Sequence, residues 1–219
     1  GDLSFAEGAS TTNYMAHAVR AFFNNGGSRL FVARTYTARG NDTGIAQSDP
    51  IVNNGGAQAV FVAMGPGSGY NGTVRAIEKI VRATKVTLRA APSGSLMSVG
   101  IPPEGGGDAV DTFFLKQGSQ WMPTTPPGGG GAPQPLNLDT VMDDNDFAAL
   151  YLLTVEAADA DGNVVLYEDM GYGPDHPRAI SAVLSQTPAR RADAVANPYY
   201  LDMTAAVTPL ALRNGFFTG

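Results

Sequence analysis

Six residues, Gly67-Ser68-Gly69-Tyr70-Asn71-Gly72, match the G-x-G-x-x-G spacing with which a loop can cradle a dinucleotide pyrophosphate. That chemistry needs a strand before the loop, a helix after it, and an acid about 20 residues on to hold a ribose hydroxyl. The apolar run before Gly65 supplies the strand. No Asp or Glu stands between Glu78 and Glu104, however, and the segment after Gly72 is at best half helical. The Gly-Lys-Ser/Thr ending of a triphosphate loop is also missing. The glycines therefore read as a corner between strands, where Gly65, Gly67, Gly69 and Gly72 permit positive φ and close backbone approach. A second set, Asp159, Asp161 and Asn163, imitates the first ligands of an EF-hand loop. Val164 then stands where that loop needs Gly and Met170 where it needs Glu, so the set reads as a solvated turn. The acidic run "MDDNDF", residues 142–147, reads the same way. His17 and His176 are the two candidate neutral-pH bases, and neither sits in a nucleophile motif or a helical H-x-x-x-H zinc pair. With no cysteine, thiolate chemistry is excluded. The expectation is a protein that is not an enzyme and uses no cofactor or metal.

The elements that would position these residues are partly legible. Residues 11–24, "TTNYMAHAVRAFFN", set Tyr14, Met15, Ala18, Val19, Phe22 and Phe23 along one apolar stripe, with Asn13, His17, Arg20 and Asn24 opposite. This predicts an amphipathic helix capped by Ser10 or Thr11 and ended by the left-handed residue in Asn25-Gly26-Gly27. Phe22 and Phe23 become buried anchors, each costing about 3–5 kcal/mol to truncate. Residues 29–36 predict a strand, 37–56 a loop and candidate domain boundary, and 57–64 a further strand. Residues 73–90 read as two strands turning near Arg82. "PPEGGG" and "TTPPGGGGAPQP" make 91–135 one or two long flexible loops around a short apolar piece, "VDTFFL". "ALYLLTVEA" and "NVVLYEDM" flank Asp161-Gly162 as a β-hairpin. A short helix is expected over 176–186, with Asp175 as its cap and Pro177 in its first turn.

Composition agrees with a β-rich, α+β class. Of 219 residues, 43% are hydrophobic and only 16% charged, with 27 Gly and 15 Pro, so turns and long loops outweigh helical bundles. A net charge of −6 with 14 Lys and Arg disfavours a nucleic-acid partner. No apolar run reaches the length that spans a bilayer, which predicts no membrane insertion. The chain opens at Gly1 without Met and closes on a turn-like "NGFFTG", and so reads as part of something longer.

At "NYMAHAVRAFFNNGGSRLFVART", residues 13–35, the sequence resembles contractile tail sheath proteins of bacteriophage tails and bacterial contractile injection systems. The matching residues are Ala18, Val19, Phe22, Phe23, Asn25, Gly26 and Gly27, then a strand closing on Arg34. "AMGPGSGYNGTVRA", with Gly67 and Asn71, and the hairpin leading to "DHPRAISAVL" are similar to two further family segments in the same order, though Tyr70 departs from a spacing around Trp that is common there. The resemblance covers about half the chain. It implies that residues 1–50 open an α/β core domain through a short helix and strand. Residues 56–203 would be a mainly β outer insertion, an antiparallel sheet or small barrel with long Gly/Pro loops, and 204–219 a return to the core. It also implies a structural protein that polymerises as a homo-oligomer, in hexameric rings stacked into a helical assembly. Its partners would be copies of itself, an inner tail tube protein, and baseplate and terminal cap proteins, in a virion tail or in an injection particle assembled in the bacterial cytoplasm. The alternatives are an extracellular or surface-displayed β-rich binding module, which suits the composition, and a nucleotide-dependent enzyme, which would need the glycine motif.

Overall fold

The computed structural model describes residues 14–31, 43–102, 107–125, 132–189 and 197–218. The chain divides into two units, Gly1–Thr37 and Ala38–Gly219. The division falls at the start of residues 37–56, the stretch read as a candidate domain boundary.

In the first unit, α1 spans Tyr14–Asn24 and none of its residues is buried. It ends as the Asn-Gly-Gly signature requires. Gly26 takes φ +89°, its N–H donates to the Phe23 carbonyl, and Gly27 N–H donates to that of Phe22 at 2.9 Å. This pair of bonds is a Schellman cap. Gly27 is needed for a second reason: a Cβ there would strike the Phe22 ring, which folds back over the turn. Phe22 and Phe23 meet edge to face at 5.2 Å. They are 39% and 47% exposed, which corrects their assignment as core anchors, because an apolar stripe records what can be buried and not what is. Residues 29–31 form no strand. The rest of the expected 29–36 strand, Arg34 included, and the predicted cap at Ser10 or Thr11 lie outside the described residues.

The second unit is built from two antiparallel sheets, a few short helices and no parallel crossover between named strands, an α+β fold. In the first sheet, β3 (Ala57–Pro66) is central. β10 (Tyr199–Met203) pairs along one edge from Tyr199↔Ala63 to Met203↔Ala59. β1 (Ile45–Gln47) and β2 (Val52–Asn54) share the other. These two strands lie where a loop was expected, since three residues are too few to show alternation. The continuous run Ala59–Ala63 is buried, as befits a strand covered on both faces.

The second sheet has the order β4-β8-β5-β6-β7, with β9 also beside β8. β4 (Thr73–Ala83) pairs with β8 (Ala148–Ala158) without interruption, from Thr73↔Ala158 to Ala83↔Ala148. The hairpin from β8 to β9 (Val164–Met170) forms as expected. Asp159 closes it, one carboxylate oxygen accepting from the N–H groups of Asp161 and Asn163 and the other from the Asn163 side chain. These bonds hold the Asp159 carboxyl below its usual range, the Asn163 side chain contributing most.

Three expectations fail here. After β4 the chain forms a helix, α2 (Lys85–Ala90), instead of a second strand. Thr84 caps it by accepting from Thr87 N–H, and Leu88 is fully buried while Val86 is 73% exposed, so the alternation seen in Val86, Leu88 and Ala90 was the wrong period. The stretch read as flexible loops contains β5 (Leu96–Ile101), β6 (Val110–Gln117) and β7 (Gln120–Pro123). The flanking Gly and Pro runs hid the apolar "LMSV". The helix expected over 176–186 shrinks to α4 (Ile180–Val183), preceded by α3 (Leu138–Val141) in chain order. Ala179 occupies the N-cap, so neither Asp175 nor Pro177 starts it. His176 instead accepts the Arg178 N–H at Nδ1 and stitches a turn.

Between the two sheets lies the main core, where Phe61, Ala63 and Leu201 meet Leu153, Val155 and Met170. A second core on the other side of the larger sheet joins Leu88 of α2 and Leu138 of α3 to Met97, Phe114 and Trp121. The last helix, α5 (Pro209–Phe217), is capped by Thr208 and seats Leu212 in the main core. Val207 and Leu212 of the closing segment, 204–219, both belong to that core.

Candidate functional site

The glycine corner joins β3 to β4 through a single 3-10 turn, Ser68–Tyr70. Only Gly67, at φ +111°, has the left-handed backbone expected of all four glycines. Gly65 and Gly72 are required by crowding. A Cβ on Gly65 would press the Tyr70 ring, and one on Gly72 would overlap the Ala158 carbonyl and the Tyr199 hydroxyl. That hydroxyl lies 3.0 Å from the carbonyl oxygens of both Tyr70 and Ala158, and so ties the corner to the end of β8. Burial raises the Tyr199 hydroxyl pKa, so the phenol stays a proton donor. A strand follows Gly72, where a pyrophosphate loop would open a helix.

Beside the corner opens a cleft of about 620 Å³. Phe61 of β3, Val74 and Ala76 of β4, Tyr70 and Phe216 line it, together with the polar Gln47 and Asp49. α5 is held against it by two devices. Gly215 lies so close to the Ile51 carbonyl that a Cβ would overlap it. Arg213 forms a two-pronged pair with Glu78 of β4, Nε–Oε1 2.7 Å and Nη2–Oε2 2.8 Å, with both side chains nearly buried. The guanidinium stacks 4.3 Å from the Tyr151 ring centroid and 5.0 Å from that of Phe113, an arrangement suited to its planar, weakly hydrated charge. The Tyr172 hydroxyl donates to the same carboxylate at 3.3 Å. Burial, with Glu78 adding to it, pushes the Tyr172 pKa far up.

Lys116 and the acidic run are used structurally. Lys116 donates to the carbonyls of Leu88, Arg89 and Ala91 and so closes the C-terminus of α2; burial lowers its pKa. In the acidic run, Asp144 pairs with Lys85 at 3.2 Å, and Asp146 accepts the Asp143 N–H. His17 lies on exposed α1. Among the described residues no three His, Asp or Glu side chains converge as a metal site.

Of the residues singled out by resemblance, Phe22, Phe23, Asn25, Gly26 and Gly27 come together in one helix terminus, where the Asn25 side chain donates to the Ala21 carbonyl. Gly67 and Asn71 belong to the corner in the other unit. Sequence reasoning missed Glu78, Arg213, Tyr199 and Phe216, whose partners are remote in the chain; Glu78 and Arg213 alone stand 135 positions apart. The one available signal was the run Arg213-Asn214-Gly215 in an otherwise apolar final helix. Comparison of the chain with protein-family models, curated proteins and solved structures gives no match. No helix among the described residues is long and apolar enough to cross a membrane.

Proposed function

We propose that this chain belongs to a structural subunit of a contractile tail sheath, which polymerises around an inner tube and contracts to drive it through a target envelope. The observation that carries this reading is the state of α1. Its cap uses each residue of the Asn25-Gly26-Gly27 signature, and its apolar side chains Tyr14, Met15, Phe22 and Phe23 remain exposed. A helix built so strictly around an uncovered stripe is suited to repeated contact between subunits, because heterologous contacts that do not close extend into helical tubes. The order of the three resembling segments supports the same reading, as does the β-rich make-up of the second unit. The partners would be neighbouring copies, the inner tube protein, and baseplate and cap proteins, in a virion tail or an assembled injection particle. Electron microscopy of the complete reading-frame product with its tube protein tests this: tubes are expected, and a protein that stays monomeric would overturn it. In that event the surface-displayed binding module becomes the better account, favoured by the cleft beside β4.

A further inference from the structure

Four asparagines in this chain are followed by glycine: Asn25, Asn54, Asn71 and Asn214. The pair has a chemistry of its own. The glycine nitrogen attacks the asparagine side-chain carbonyl carbon, the new N–C bond closes a cyclic imide, and the Cγ–Nδ2 bond breaks. Ammonia leaves with the proton of the attacking nitrogen. Water then opens the imide at either carbonyl and returns that proton, leaving aspartate or isoaspartate. One water is consumed, one ammonia is released, and nothing is oxidised. Glycine favours the attack because no Cβ stands in the way and its backbone turns freely. The attack also needs a glycine N–H that is not donated elsewhere and an asparagine side chain free to swing over it. Three of the four pairs are held. At Asn25 the side-chain amide donates to the Ala21 carbonyl at 2.7 Å and the Gly26 N–H to that of Phe23. The Gly72 N–H donates to the Tyr70 carbonyl at 3.0 Å, with the Ala158 carbonyl and the Tyr199 hydroxyl crowding that glycine. Asn214 and Gly215 lie inside α5, where the helical ladder occupies the backbone and Gly215 presses on the Ile51 carbonyl.

Asn54 differs in each respect. It is the exposed last residue of β2, and Gly55 and Gly56, at φ +56° and +87°, turn the chain into β3. Two successive positive φ values mark the type I′ hairpin turn. Among the described residues neither the Asn54 side chain nor the Gly55 N–H has a hydrogen-bond partner, and a Cβ on Gly55 would meet nothing. β2 is three residues long and pairs with β3 alone, so its end opens at little cost. We propose that Asn54 is a self-modifying site, converted through attack by the Gly55 nitrogen to isoaspartate and aspartate ahead of the other three asparagines. The conversion adds a carboxylate at the hairpin tip. The isoaspartyl form also routes the main chain through Cβ, which lengthens the turn by one carbon. Because the length of so short a turn fixes the register, the isomer cannot keep residue 54 opposite Ala57. Gly56 is drawn with it, and its carbonyl accepts from the Thr204 hydroxyl at 3.2 Å, which itself accepts the Gln58 N–H. Conversion therefore loosens the tie between this hairpin and the segment leading into α5. The site does not involve α1, so it can fail while the sheath reading stands, and the reverse.

The test is to age the full chain in mildly alkaline buffer made with heavy-oxygen water, which marks only residues converted during ageing, and to map the digest by mass spectrometry. Asn54 should convert at least about tenfold faster than Asn25, Asn71 and Asn214, and it should give both isomers. In the urea-unfolded chain the four rates should converge, because the same dipeptide is then equally free at each place. By hydrogen exchange the Gln58 amide should open faster after ageing. Asn54→Gln, whose longer side chain closes the imide far less readily, should keep that amide unchanged over the same period. Earlier conversion at any of the other three asparagines would overturn the assignment. So would a folded chain that ranks the four as the unfolded one does, or a product that is aspartate alone, which would mean direct hydrolysis without the imide. A Gln58 amide that exchanges alike before and after conversion would break the proposed link to Thr204.

Discussion

Helices α1 and α5 are built from similar material and end in different states. Each carries two adjacent phenylalanines, an arginine and a glycine within or just after its last turn. α1 buries nothing, whereas α5 buries Leu212 completely, stacks Phe216 against Phe61 with centroids 6.2 Å apart, and lies against the Ile51 backbone. Apolar content does not separate them. What separates them is a polar lock, Arg213 on Glu78, and a glycine placed at the point of closest approach. In α1 the glycines are spent on ending the helix, and among the described residues Arg20 has no comparable buried carboxylate. An amphipathic stripe permits docking, and specific close contacts bring it about.

The largest effect should come from breaking that lock. Arg213→Ala leaves the Glu78 carboxylate in a nearly buried site without its partner, and unfolding by denaturant should show a loss of about 3–5 kcal/mol. Replacing both residues by apolar ones of similar size should recover most of the loss, because the pair's worth lies largely in avoiding an uncompensated charge. A single variant that unfolds like the parent would mean that α5 is not held by this pair.

Gly215→Ala asks whether close approach matters as much as charge. The added methyl meets backbone, which cannot rotate away, so α5 must shift, at about 1–3 kcal/mol. Gly118→Ala is the control: its Cβ meets nothing, and only the left-handed φ of +59° is strained. Below these comes Thr208→Ala, which removes the acceptor for the Ala211 N–H and should cost about 1 kcal/mol.

A smaller effect is expected from pH. Burial lowers the His176 pKa from its ordinary value of 6.5. The folded state therefore binds a proton less readily than the unfolded one. Stability should be fullest above pH 6.5 and decline as pH falls through the folded value. His176→Gln should flatten that part of the profile, and an unchanged slope in thermal melts would place the dependence elsewhere.

The same contrast explains what could be read from the chain. The β8–β9 hairpin was legible because Asp159 and Gly162 act within a few residues of each other, and the Asn25-Gly26-Gly27 cap for the same reason. α2 was not, because Thr84 and Leu88 compete with an equally good alternation, and burial of Leu88 by Met97 and Trp121 decides between them. β5 was hidden by its neighbours' composition. The cleft and the Arg213–Glu78 pair depend on pairings across the whole unit, and no local pattern records those.

The smallest effect on folding, and the sharpest on the proposed assembly, belongs to the phenylalanines of α1. Were they core residues, truncation would cost about 3–5 kcal/mol. At 39% and 47% exposure their rings have given up only part of their contact with solvent, and surface substitutions away from special features change stability by roughly 0.5 kcal/mol or less. Phe23→Ala should therefore melt like the parent. Phe22→Ala should cost slightly more, since its ring covers Gly27 in the Schellman turn. In the complete protein both should shorten or abolish tubes seen by electron microscopy, because the exposed stripe is where a neighbouring copy would bind. A Phe23→Ala protein that loses several kcal/mol would return that ring to a core. One that folds and still forms full-length tubes would move the subunit contact off α1, and with it the main support for the sheath reading.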